Sequence, residues 1–137
     1  MSRIRRNVAR MLVAGAMVMG SLVATSTAAQ ATIYQREMPK GSYLLPGDEL
    51  RYVVSTITVR LRIENGTLYL RKSTAGVQKL CWLQIYASHA VYQRDGNFVT
   101  INSAGNVSWA SNTVGQSGNA RVDANGFYVG SRKIASC

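Results

Sequence analysis

The sequence predicts an all-β protein. Three observations carry that expectation: runs dense in β-branched residues, Gly/Asn/Asp clusters between them, and no sustained helical period beyond Gly41. Val53 to Ile63 (VVSTITVRLRI) is the densest run, Thr67 to Leu70 alternates after Asn65-Gly66, and Phe98 to Ile101 follows Asp95-Gly96-Asn97. Glycine, asparagine and aspartate tolerate positive φ, which tight hairpin turns require.

A chain of 137 residues allows one domain of ordinary size, and its first 31 residues read as a secretory signal peptide. Arg3, Arg5, Arg6 and Arg10 stand there without an acid, Met11 to Ala24 is apolar, and Ala29-Gln30-Ala31 supplies a small-x-small cleavage pattern. The apolar run is short of the roughly 20 residues a membrane-crossing helix needs, so no span is expected after cleavage. Residues 32–42 then form an N-terminal extension and 43–137 the β domain. Four of the 16 Lys and Arg lie in the signal and all six acids outside it, which leaves a net charge of +6. Such a field favours anionic partners, for example charged cell-surface polymers. No basic block interleaved with aromatics appears, so nucleic acid is not an expected partner. Cys81 and Cys137 are the only two cysteines, and in an oxidising compartment they are expected to pair. With His89 they do not make a zinc site, and neither metal nor cofactor is expected.

Self-comparison reveals three related units. Arg62-Ile-Glu64-Asn-Gly66-Thr-Leu68-Tyr-Leu70 lines up without a gap on Arg121-Val-Asp123-Ala-Asn125-Gly-Phe127-Tyr-Val129. Gln93-Arg-Asp95-Gly-Asn97-Phe-Val99-Thr-Ile101 falls between them, read in the same register. Each unit ends on a large apolar residue, Trp82, Trp109 or Ile134, which predicts a shared central core because one unit cannot bury its own apolar face.

The middle unit carries the chemistry. On a strand, residues two apart point to one side, about 7 Å from each other. Gln93, Asp95, Asn97, Val99 and Ile101 are therefore expected on one face, with Arg94, Phe98 and Thr100 on the other. A carboxylate and two amides, which accept from and donate to vicinal hydroxyls, followed by aliphatic groups, suit a pyranose ring. The alternative is that Asp95-Gly96-Asn97 is a plain turn and the polar line a solvated edge.

These residues resemble the monocot mannose-binding, or bulb-type, lectin family, whose site pattern is Q-x-D-x-N-x-V-x-Y in each of three subdomains. Trp109-Ala-Ser-Asn-Thr113 with Gly115-Gln-Ser-Gly-Asn119 resembles the family's inter-repeat segment, and Leu44-Leu-Pro-Gly47-Asp-Glu-Leu50 its entry strand. The likeness covers Tyr43 to Cys137. It implies a β-prism II fold of three antiparallel sheets about a pseudo-threefold axis. It also implies shallow, calcium-independent sites for mannose-containing glycans, with Asp95 and Asn97 on the 2-hydroxyl, Gln93 on the 3-hydroxyl and Val99 against the ring.

The chain departs from that pattern at Ile101, where the family has the tyrosine that bonds the 4-hydroxyl. The third unit offers a second site at Arg121, Asp123 and Asn125, with Phe127 and Val129 replacing valine and tyrosine. The first unit keeps only Glu64, beside Arg62. Arginine at the same place in two units points either to anionic sugars or to pairing with the neighbouring acid. No nucleophile stands in a recognisable signature and no acid/base pair is visible, so an enzyme is not expected. The expectation is a secreted mannose-type lectin, the alternative a degenerate prism that binds another protein as an inhibitor or bacteriocin-like component. Relatives exchange C-terminal strands. This chain stops three residues past Ile134, so a monomer or weak dimer is expected.

Overall fold

Alternation builds the sheets. The computed structural model describes residues 30–137; the signal-peptide reading falls almost wholly on residues outside them. Thirteen strands are found among the described residues: β1 (Ile33–Gln35), β2 (Glu37–Met38), β3 (Tyr43–Leu44), β4 (Glu49–Val54), β5 (Ile57–Glu64), β6 (Thr67–Thr74), β7 (Val77–Ile85), β8 (His89–Tyr92), β9 (Phe98–Ile101), β10 (Val107–Ala110), β11 (Ala120–Asp123), β12 (Gly126–Val129) and β13 (Arg132–Ser136). In β5, Val59, Leu61 and Ile63 are buried while Arg60, Arg62 and Glu64 are only half-buried on the other face. In β6, Leu68 and Leu70 are buried and Tyr69 and Arg71 face outward with them. That period of two is what a sheet with one core face and one wet face requires.

The strands form three sheets, in the orders β1-β4-β5-β6-β7, β3-β8-β9-β10 and β2-β11-β12-β13. Every neighbouring pair is antiparallel except β1 with β4, which run parallel through Ile33↔Glu49 and Gln35↔Arg51. The three inner faces meet in one aromatic centre. Phe98 and Phe127 cross edge to face at 5.1 Å, and Trp82 meets Trp109 at 5.2 Å. Trp82, Trp109 and Ile134 pack against this core as partly buried residues, as their recurrence predicts. Cys81 and Cys137 are joined, with Cα atoms 4.9 Å apart.

Three sequence expectations need correction. Residues 32–42 are part of the β domain: β1 joins the first sheet, β2 joins the third through Ala120↔Met38, and Met38 is 0% exposed. Between them Arg36 takes φ 67°, and its backbone bridges two sheets, donating to Arg51 O and accepting from Val122 N. Segments this short hold on through backbone hydrogen bonds at sheet edges, which leave no alternation to read. Second, Val53–Ile63 is two strands. Ser55, at φ 54°, and Thr56 turn the chain so that Val54 pairs with Ile57.

The third correction concerns register. Units one and three turn over two residues, with Glu64↔Thr67 closing the first hairpin and Asp123↔Gly126 the third. The middle unit needs three, because Gln93 N donates to Asn97 O and Tyr92 pairs with Phe98. Gly96, at φ 94°, supplies the left-handed step of that longer turn. The structural counterpart of Leu68 and Phe127 is therefore Phe98, and all three are fully buried. One extra turn residue exchanges the two faces of the strand that follows.

Candidate functional site

The extra residue decides what becomes of the middle unit. Gln93, Asp95 and Asn97 lie in the β8–β9 turn, and only Val99 and Ile101 lie on a strand. Asp95 Oδ1 accepts from Asn97 N at 2.9 Å, an Asx turn. Asn97 Oδ1 accepts from Ser111 Oγ at 3.1 Å and from Thr113 N at 3.3 Å. Thr113 Oγ1 donates to Gly96 O at 2.6 Å, and Gly115 N donates to Asp95 O at 2.8 Å. Residues 111–115 thus clasp the turn. Val99 is 2% exposed and Ile101 half-buried. The expected open row of amide, acid, amide and aliphatic group on one strand is absent. Asp95 itself is exposed, and neither its Oδ2 nor the Gln93 amide has a hydrogen-bond partner among the described residues.

In the third unit Arg121 donates to Asp123 Oδ2 at 3.2 Å, and Asn125 N donates to Asp123 Oδ1 at 2.8 Å. The Arg121 guanidinium also lies 4.0 Å over the Tyr128 ring. Phe127 and Val129 are wholly buried and unavailable to a ligand. A hollow of about 220 Å³ sits here, between Arg36, Glu37, Tyr52, Arg121 and Asp123.

The first unit is richer than its sequence suggests. Glu49, with a side chain 9% exposed, receives three arginines: Arg51 at 3.0 Å, Arg62 at 3.0 Å and Arg60 at 3.3 Å. Glu64 meets Arg71 at 3.0 Å and Arg62 at 3.5 Å, and Arg71 stacks over Tyr69 at 4.0 Å. The hydrogen bond from Arg71 holds the Glu64 carboxyl below its ordinary range; partial burial opposes this, and the charges of Arg62 and Arg71 add to it. Sequence reasoning named Arg62 and Glu64 and missed Arg51, Arg60, Arg71 and Glu49. The alternation Arg60-x-Arg62-x-Glu64 beside Tyr69-x-Arg71 is the signal that points to this face. Glu49 gave none, because its role depends on β4 pairing with β5 in the register Glu49↔Arg62.

Sequence reasoning also missed an open depression of about 680 Å³ between the first and second units. Asn65, Thr67, Ser88, Asn102 and Ser103 give it amides and hydroxyls; Ile85 and Tyr86 give it apolar surface. Tyr86 is 71% exposed and held at φ 60°. The walls are fixed by Ala87 N donating to Gly66 O at 2.7 Å and Ser88 N donating to Ile101 O at 2.7 Å. Among the described residues no group of three or more His, Cys, Asp or Glu is placed to hold a metal, and no helix is long and apolar enough to cross a membrane.

No family model and no curated protein matches this chain. Among solved structures it is similar to a lectin of Marasmius oreades, described as the "Japanese Marasmius oreades lectin". The TM-score is 0.53 and the identity 18%, over 78% of this chain and 92% of that one. At that identity the likeness is one of fold: this chain is an all-β protein of the β-prism II class, with three sheets around a common core.

Proposed function

We propose that this chain is a secreted, lectin-type glycan-binding protein whose sugar ring lies in the depression beside Tyr86. The observation that carries the reading is the depression's chemistry. An aromatic ring left open to solvent covers the C–H face of a pyranose, and neutral amides and hydroxyls around it exchange hydrogen bonds with ring hydroxyls. The fold shared with a lectin supports it, and the disulfide suits an oxidising, extracellular compartment. Membership of the bulb-type family belongs to the same proposal, with a mannose site at Gln93, Asp95 and Asn97 as the alternative place for the sugar. For that site the groups with no protein partner, Asp95 Oδ2 and the Gln93 amide, are the ones to bond the sugar.

A second reading, a prism that binds another protein, has one observation in its favour. Val53, Val54, Val77 and Leu80 are exposed together at the outer ends of the first sheet's hairpins. The test is retention on mannose-agarose and on a panel of neutral glycans, using protein expressed from the full chain, with Tyr86→Ala and Asp95→Ala alongside. Loss in Tyr86→Ala alone is the expected result. Loss in Asp95→Ala alone moves the sugar to the middle turn, and retention of none of the three proteins on any glycan overturns the lectin reading for the protein-binding one.

A further inference from the structure

We infer that the outer face of the first sheet binds the oxyanion of an acidic saccharide, in the furrow between Arg60, Arg62 and Arg71. The inference rests on the glycan-binding reading and adds the ligand class: a sugar carrying a carboxylate, or a sulfate or phosphate ester.

Charge is the first argument. Arg51, Arg60, Arg62 and Arg71 converge on only two carboxylates, Glu49 and Glu64, so two positive charges are left over. They stand over a hollow of about 180 Å³ that Ser73 and Gln78 close at one end. The second argument is unused bonding capacity. Arg60 Nε lies 3.3 Å from Glu49 Oε1, within ion-pair range, but makes no hydrogen bond; it and Arg62 Nε are buried atoms without a hydrogen-bond partner, so a ligand reaches these guanidinium groups only from their exposed side. The Arg60, Arg62 and Arg71 side chains are 39%, 31% and 35% exposed, so the furrow is open to a ligand. Guanidinium forks pair bidentately with planar and tetrahedral oxyanions. Arg71, stacked on Tyr69 and bonded to Glu64, is already held in place, which lowers the ordering cost of binding.

The other two units serve as internal controls. Around the third unit's hollow, Arg36 and Arg121 are matched by Glu37 and Asp123, so no surplus charge remains. In the middle unit the places of Arg62 and Tyr69 are taken by Val91 and Val99. Of the three hollows described, only the first unit's is lined by more cations than acids. Its furrow also adjoins the depression: Glu64 lines one, and the next three residues, Asn65, Gly66 and Thr67, line the other. A glycan whose neutral ring rests on Tyr86 is thereby placed to carry its acidic group toward Arg62 and Arg71.

The experiment is calorimetric titration of the protein expressed from the full chain. The probes are a uronic-acid oligosaccharide, a sulfated oligosaccharide, their uncharged parent and inorganic sulfate, each at low and high salt. The acidic saccharides are expected to bind about tenfold more tightly than the parent, the gain of one charge-assisted hydrogen-bonded pair. High salt should erase that preference. Arg60→Gln should abolish it and Arg121→Gln should leave it intact. Arg60 Nε makes no hydrogen bond, so Arg60→Gln strands no donor pair, and circular dichroism confirms that the variant folds. The tighter of the two acidic probes identifies carboxylate or ester as the source. Parent binding with no acidic preference overturns the furrow and leaves the glycan reading standing. Inorganic sulfate binding as tightly as the sulfated sugar overturns the saccharide assignment.

Discussion

At Glu64 a single hydrogen bond from Arg71 outweighs the cost of partial burial, and the carboxyl titrates below its ordinary value of 4.5. The sign follows. A carboxyl with a lowered folded pKa stabilises the fold fully above its unfolded value and loses that contribution as pH falls through the lowered one. Carbon-detected NMR titration should find Glu64 below the usual glutamate range, and Arg71→Gln should move it back up. Tyr92 behaves oppositely. Burial pushes its hydroxyl above the ordinary 10.0 while the group donates to Gly118 O at 2.9 Å. Stability tied to Tyr92 is present below pH 10 and lost as pH rises through the raised value, so alkaline unfolding should begin later in Tyr92→Phe. At this scale the sequence shows which residues are polar and which line up. It does not show that Asn97 Oδ1 is already taken by Ser111 and Thr113, from 14 and 16 residues further on.

Turns, more than strands, set what each unit offers. The middle turn depends on a buried hydroxyl pair, Ser111 Oγ and Thr113 Oγ1 at 2.7 Å, with Thr113 reaching Gly96 O. Thr113→Val leaves that carbonyl and Ser111 short of a partner and is expected to cost about 1–3 kcal/mol in urea unfolding. Gly96 is confined as well, because a Cβ there would lie 2.9 Å from Thr113 O and from the Gln116 backbone. In the third unit Gly126, at φ 148°, faces Ser136 across the sheet, and a Cβ would overlap the Ala135 carbonyl. Gly126→Ala is expected to destabilise by at least about 3 kcal/mol, the upper end for ordinary single substitutions, measured by thermal unfolding. The turn triplets themselves were legible as Gly/Asn/Asp clusters. Their lengths were not, since Asp95-Gly96-Asn97 and Asn65-Gly66 look alike until the pairing partner on the return strand is known.

For the whole molecule, the link between Cys81 and Cys137 spans 56 positions and fastens the C-terminus to β7 of the first sheet. Loop-closure entropy makes it worth about 4 kcal/mol, so Cys81→Ala with Cys137→Ala should lower the urea midpoint, while the slope rises because the released denatured chain exposes more surface. The N-terminal strap completes the domain in another way. β1, β2 and β3 each edge a sheet, so one short stretch, residues 33–44, touches all three. The first unit is the outlier in length. Its strands run to eight and nine residues where those of the other two run to four or five, and the added length carries Arg60, Arg71, Ser73 and Gln78. The furrow therefore begins in the part all three units share, at Arg62, Glu64 and Tyr69, and extends beyond it along the longest hairpins.

Alternation, turn composition and repetition are local properties, and they alone determined that this chain is all-β, that it has three related units, and that Trp82, Trp109 and Ile134 gather at one core. Tertiary structure decided the rest. It set the turn length that buries Val99, the edge pairing that draws residues 32–42 into the domain, and the β4–β5 register that gathers three arginines on Glu49. The physical reason is that a side chain's face is fixed by which backbone partner sits opposite it, and a shift of one residue in that partner reverses the face. Partners many residues apart become neighbours only once the sheets have closed.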